Sequence, residues 1–257
     1  MNETPPTNAQ AYLAAIVESS DDTILSKDLN GIIRSCNPAT QRVFGYTPAE
    51  LIGQSVRVLI PPERQAEEDE ILARIKRGER VNHFETVRLT KEGRRIDVSL
   101  TISPVHDPSG AVVAASKIVR DISEQKRARA TQAYLAAIVE SSEDAILAKD
   151  LNGIIQSANA AAERIFGYRA SELVGRSIHL VIPSDRHAEE DEILARVRRG
   201  ERLEHFETVR MAKDGRRLDI SLSVSPICDE SGGIIGVAKI ARDVTEHKRL
   251  ARELAAQ

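Results

Sequence analysis

The chain repeats itself once, and this constrains the fold more than any composition figure. RDISEQKR at Arg120–Arg127 returns at Arg242–Arg249 as RDVTEHKR. KDLNGII occurs at Lys27 and Lys149, AEEDEILAR at Ala66 and Ala188, and HFETVR at His83 and His205. Each pair stands 122 residues apart, so the copies align without insertion or deletion. Solenoid repeats are much shorter, so a period of this length marks a duplicated domain. Two units in 257 residues give domains of ordinary size.

The copies meet in Arg120–Ser142. AYLAAIVESS at its end has already appeared at Ala11–Ser20, so this segment closes one unit and opens the next. Its composition predicts a helix. Asp121, Ser123 or both can cap its start, and no Gly or Pro interrupts Glu124–Ser142. Ala128, Thr131, Leu135 and Ile138 form one apolar seam at 3-4-3 spacing, too short to define a coiled coil. Two readings stand: a connector packed on its own domain, or a rod that carries strain or a dimer contact between domains.

Net charge is −3 and the pI near 6.1, so no basic footprint points to nucleic acid. No apolar run approaches a membrane span, and the polar Met1–Asn8 start does not read as a signal peptide. Cys36 and Cys228 occupy non-equivalent places in the two copies. A disulfide framework would have duplicated with the fold, so a reducing, cytoplasmic setting is expected. The Phe and Tyr residues fall in equivalent pairs, Phe44/Phe166, Phe84/Phe206, Tyr12/Tyr134 and Tyr46/Tyr168, which predicts shared core positions.

Within one unit, a short helix over Ala9–Ser19 is followed by two β-rich runs, Thr23–Ser26 and Ile32–Cys36. They flank Asp28-Leu29-Asn30-Gly31, a strong hairpin signal. Pro38 opens a short helix that Gly45 ends, and Thr47-Pro48-Ala49-Glu50 has the form of a capping box. A longer helix is predicted over about Glu63–Lys76, its acidic start and basic end matching the helix dipole. Three alternating runs, His83–Thr90, Arg95–Val105 and Val112–Val119, finish the unit. Hairpins on both sides of a helical insert imply an α+β domain, one antiparallel sheet with helices on one face. The domain map is residues 1–8 disordered, 9–122 first domain, 123–141 connecting helix, 133–244 second domain and 245–257 C-terminal signalling helix.

Three stretches carry a family likeness: DLNGIIRSCNPATQRVFGYTPAELIGQS at Asp28–Ser55, KEGRRIDVSL at Lys91–Leu100 and RDISEQK at Arg120–Lys126. Their counterparts read DLNGIIQSANAAAERIFGYRASELVGRS, KDGRRLDISL and RDVTEHK. Each unit resembles a PAS domain of the sensory-box type over essentially its full length. The resemblance implies a five-stranded antiparallel sheet with helices on one face and any ligand held between them. It implies a sensor of small molecules, redox state, oxygen or light that dimerises through flanking helices, as in the input regions of sensor histidine kinases and diguanylate cyclases. It also makes Asp121, Ser123, Asp243 and Thr245, at the ends of the last strands, candidate signal-relay residues.

No phosphate loop, nucleophile elbow or metal-spaced His/Cys cluster appears, so this chain is expected not to be an enzyme. Glu67–Glu70 reads as a solvated helix face, since consecutive helical residues diverge. Where flavin light sensors of the family carry a reactive cysteine, this chain has Val56 and Ile178. Where haem-binding members carry an iron-ligating His, it has Glu68 and Glu190. His187, nearly one turn earlier, is a weak haem-ligand candidate that reads better as a helix-surface His, and His83 and His205 read as hydrogen-bonded rim residues. No cofactor is expected, with haem and flavin as the alternatives, and no metal. The predicted pocket lining is aliphatic: Ile33, Val43, Phe44, Leu51, Leu59, Ile71, Leu100 and Ile102, and in the second unit Ile155, Ile165, Phe166, Leu173, Val181, Ile193, Leu222 and Val224. A filled core without ligand is the competing reading. Expected partners are a second copy, through the flanking helices, and a fused or separate kinase or cyclase. The functional alternatives are a free-standing sensory module, the regulatory half of a longer kinase or cyclase, and a scaffold whose pockets are shut.

Overall fold

The computed structural model describes residues 7–255, which fall into two compact units dividing between Ala130 and Thr131. Unit one runs α1 (Thr7–Ser19), β1 (Thr23–Asp28), β2 (Ile33–Cys36), α2 (Ala39–Phe44), α3 (Pro48–Leu51), α4 (Ala66–Lys76), β3 (Val81–Leu89), β4 (Arg95–His106) and β5 (Val112–Asp121). Helix α5 (Ser123–Ser141) follows. Unit two repeats the order as β6 (Ala145–Lys149), β7 (Ile155–Ala158), α6 (Ala160–Phe166), α7 (Ala170–Leu173), α8 (His187–Arg198), β8 (Leu203–Met211), β9 (Arg217–Cys228) and β10 (Ile234–Asp243), then α9 (Thr245–Ala255). The sheets have strand orders β2-β1-β5-β4-β3 and β7-β6-β10-β9-β8, antiparallel throughout. This is the α+β architecture the duplicated pattern predicts. Of the segment expected to be disordered, residues 1–6 lie outside the described residues; Thr7 and Asn8 belong to α1.

Local chemistry accounts for the punctuation. At the β1–β2 hairpin Gly31 adopts φ 81°, and the Asp28 carboxylate accepts from the Asn30 and Ile32 N–H groups at 2.9 and 3.0 Å. The Glu50 carboxylate accepts from the Thr47 N–H at 3.0 Å, the backward half of the capping box, and Glu172 does the same for Arg169. One helix start differs from expectation. Pro62–Arg64 makes a separate 3₁₀ turn, and α4 begins only at Ala66, because the proline pair restricts the backbone leading into it.

Strand alternation sends Ile96, Val98, Leu100 and Ile102 of β4 inward, where Phe44, Leu51, Ile71 and Ile75 from the helices cover them. The aromatic expectation holds only in part. Phe44 and Phe166 are buried, whereas Tyr12 and Tyr134 stand exposed on α1 and α5, because these helices offer too little neighbouring surface to bury them. The reading of the joining segment as a connector packed on its own domain is overturned: no residue of α5 is buried. The helix is anchored at its ends, where Lys126 pairs with Asp97 at 3.1 Å and the Val139 carbonyl accepts from Asn159 at 2.9 Å, while Leu135 and Ile138 between them are exposed.

Candidate functional site

The interior of each unit holds an ionic cluster. In β1, Thr23, Leu25 and Lys27 share the inward face; in β5, Ala115, Lys117 and Val119 do; in β3, Thr86 and Arg88 do. From α4, Glu68 points inward with Ile71 and Ile75. The period-2 and helical spacings that bury the aliphatic residues therefore bury Lys27, Glu68, Arg88 and Lys117 as well, each no more than 2% exposed. The reading of Glu67–Glu70 as a solvated face is corrected. Only Asp69 and Glu70 are exposed, since successive helical residues diverge and one of four must face the core.

In unit one Lys27 pairs with Glu68. Glu67 accepts from Thr86 Oγ1 at 2.8 Å, Arg88 Nη1 at 2.9 Å and Arg64 Nη1 at 2.7 Å. Lys117 has no carboxylate partner among the described residues. In unit two Glu190 is held between Lys149, at 2.7 Å, and Lys239. Glu189 accepts from Thr208 Oγ1 at 2.6 Å and Arg210 Nη1 at 2.9 Å.

Burial pushes the Lys117 ammonium down to about 7, with the Lys27 and Arg88 charges acting the same way. Burial also lowers Lys239, to about 8, but the Glu190 charge opposes the shift. For Lys27, burial outweighs Glu68 and the value falls. Burial alone would raise the Glu190 carboxyl; the charges of Lys239 and Lys149 outweigh it and hold the group below its usual range. These are expensive groups to desolvate, and pairing offsets the cost only where the geometry is good.

Among the predicted lining residues, all but two are buried in the two cores: Ile33, Phe44, Leu51, Leu59, Ile71, Leu100 and Ile102, and Ile155, Phe166, Leu173, Val181, Ile193, Leu222 and Val224. Val43 and Ile165 pack against the cores from the edge, partly buried. Unit two has a cavity of about 10 Å³ in which Phe166, Val181 and Leu222 meet Arg210 and Lys239, the room of roughly one water. The cations were missed at the sequence level. A signal was available, because Lys27/Lys149, Glu68/Glu190, Arg88/Arg210 and Lys117/Lys239 recur in both copies in phase with apolar neighbours.

Asp121 Oδ1 accepts from the Ser123 N–H at 2.8 Å and Asp243 Oδ1 from the Thr245 N–H at 2.9 Å. Ser123 Oγ accepts from the Asp97 N–H and Thr245 Oγ1 from the Asp219 N–H, each at 2.9 Å. Each helix start is thus tied to the neighbouring strand, β4 or β9. His187 opens α8 half-buried, its ring stacked on His179 at 4.3 Å and within 3.2 Å of the Ile182 carbonyl. His83 and His205 sit at strand bulges with φ 48° and 51°, their rings exposed. Val56 and Ile178 are core residues, and Cys36 and Cys228 are unpaired.

The chain is similar to the sensor protein FixL of Bradyrhizobium diazoefficiens, 25% identical over 213 residues, which are 74% of this chain and 42% of that one. It is similar to the biofilm dispersion protein BdlA of Pseudomonas aeruginosa, 28% identical over 229 residues, covering 86% of this chain and 54% of the relative. It thus spans about half the length, or less, of these relatives. A solved PAS domain from Colwellia psychrerythraea matches 45% of the chain and 98% of its own length at 26% identity, with a TM-score of 0.42. The model of the PAS fold matches residues 11–122 and again 133–244. The chain belongs to the PAS family, with two PAS domains in tandem.

Proposed function

We propose that this chain is a sensory input module whose PAS domains report the state of their interiors to the helices that follow them. One observation carries the reading. β5 bears the buried Lys117 and runs through Asp121 into α5, and β10 bears Lys239 and runs through Asp243 into α9. A change of charge or occupancy in the interior acts on the strand whose end sets the start of the helix, and Asp121, Ser123, Asp243 and Thr245 are the relay. The exposed seam of Leu135 and Ile138, with Leu13, Ile16 and Val17 on α1, is the face for a second copy. The output, a kinase or cyclase, is fused to or separate from this module, which works in the cytoplasm and contributes no catalytic residue of its own. Its kinship with FixL, which is named a sensor protein, supports the reading.

Haem and flavin lie outside it. The positions where the family resemblance places a haem ligand are Glu68 and Glu190, both held by lysines, and His187 is engaged with His179 and the Ile182 carbonyl. These engaged residues support an interior without a haem ligand. Freshly purified protein should show no Soret band and no flavin band; either, near stoichiometric, would overturn this part.

The experiment that tests the reading inserts one residue between Ala128 and Gln132. This advances the helix phase by about 100° while leaving both domains intact. Output from a fused kinase should change sharply. Unchanged output would make α5 a tether and the two domains independent.

A further inference from the structure

The interior of unit two holds more positive than negative charge. Lys149, Lys239 and Arg210, all at least nine-tenths buried, face Glu189 and Glu190, three buried cations against two carboxylates, and the solvent-reaching Arg186 also pairs with Glu189 at 3.1 Å. Arg210 Nη1 is fully engaged by Glu189, Thr208 and the Val209 carbonyl. Its Nη2 is buried and bonds nothing among the described residues. Arg210 and Lys239 also line the cavity of about 10 Å³, whose other walls include Leu147, Phe166, Ile178 and Val181. A guanidinium does not shed its proton in a protein, and leaving its buried donors unmet in a cluster with net positive charge is costly. Unit one repeats the charge excess through Lys27, Arg88 and Lys117, and there too Arg88 Nη2 is buried without a partner.

We propose that the cavity between Arg210 and Lys239 binds one small monoatomic anion, a halide. The class follows from charge and room. One negative charge balances the cluster, the free Nη2–H and the Lys239 ammonium are donors, and the space admits a body of about one water. The room itself has a sequence cause. Val181 and Ala241 stand on this cavity where unit one carries the larger Leu59 and Val119. The proposal rests on the reading of the interior as the sensed site and names its ligand class.

The test is thermal melting of the full chain in sodium chloride, sodium bromide and sodium gluconate at equal ionic strength and pH. Gluconate has the same charge but exceeds the cavity. Chloride and bromide should raise the melting temperature saturably, by roughly 5–10 °C at ten times Kd. Lys239→Met, which balances the cluster without an anion, and Ala241→Val, which fills the cavity, should each remove that part of the shift. Crystals grown in bromide should show an anomalous peak beside Arg210 Nη2. Identical melting in all three salts, or a bromide structure with no peak in the cavity, overturns the proposal. If that happens while the α5 insertion still alters fused-kinase output, the sensory reading stands and only the ligand class falls.

Discussion

The two domains are copies in fold and differ in how they settle the same buried charges. In unit two a single carboxylate, Glu190, stands within ion-pair distance of both lysines; in unit one Glu68 pairs with Lys27, and Lys117 has no carboxylate within that distance among the described residues. The five ionisable residues, Glu67 and its equivalent Glu189 included, are the same in both copies, so the difference lies in their surroundings. Val119 and Leu59 in unit one correspond to Ala241 and Val181 in unit two, and the bulk beside the cluster changes with them. Duplicated domains can therefore keep one topology and pair the same buried charges differently.

The largest expected effect is on the carboxylates. Glu190→Ala strands two buried lysines and should destabilise unit two by about 3–5 kcal/mol. Glu68→Ala strands one and should cost unit one less. Chemical denaturation of the two variants, read against the unchanged partner domain, measures the contrast, and equal costs would break it.

The lysines should differ in their pH response. Lys117 is faced by Lys27 from β1, Arg88 from β3 and Glu67 and Glu68 from α4. Its folded value of about 7 lies below the ordinary 10.5, so between these values the unfolded chain binds more protons. Unit one should therefore gain stability as pH rises from about 7 towards 10, and below 7 the full penalty of a buried charge applies. Lys117→Met should flatten that slope and raise stability at pH 7, by about 1–4 kcal/mol. Lys239→Met should change the slope less, since Lys239 is lowered only to about 8 and has Glu190 beside it. Thermal melting from pH 6 to 10 distinguishes the two, and a flat profile for the native chain would contradict the assignment.

The smallest effect serves as a control. The caps at Asp121 and Asp243 have the same geometry, 2.8 and 2.9 Å to the N–H two residues on. Asp121→Ala and Asp243→Ala should each fray the start of their helix and cost about 1 kcal/mol. Backbone amide exchange at Ser123 and Thr245 reads this directly. Unequal protection there would place the asymmetry of the units in their junctions as well as in their interiors.

The duplication, the hairpin at Asn30-Gly31, the Glu50 box and the strand pattern of Arg95–Val105 were all legible in the chain. Each rests on local rules: a left-handed glycine, a cap three residues away, an alternation of period two. The burial of the aliphatic residues was legible for the same reason, since Leu100 and Ile102 fall in phase with Ile96 and Val98. The ionic cluster was not read, although Lys27 lies two residues beyond Leu25 and shares its face. Charge by itself argues for solvent, and only the closing of α4 over the sheet brings Glu68 to Lys27, 41 residues away. The fate of Lys117 and Lys239 was beyond any local rule. Whether a buried ammonium meets a carboxylate depends on ångström-scale packing among strands and helices distant in the chain, and that geometry exists only once the domain has closed.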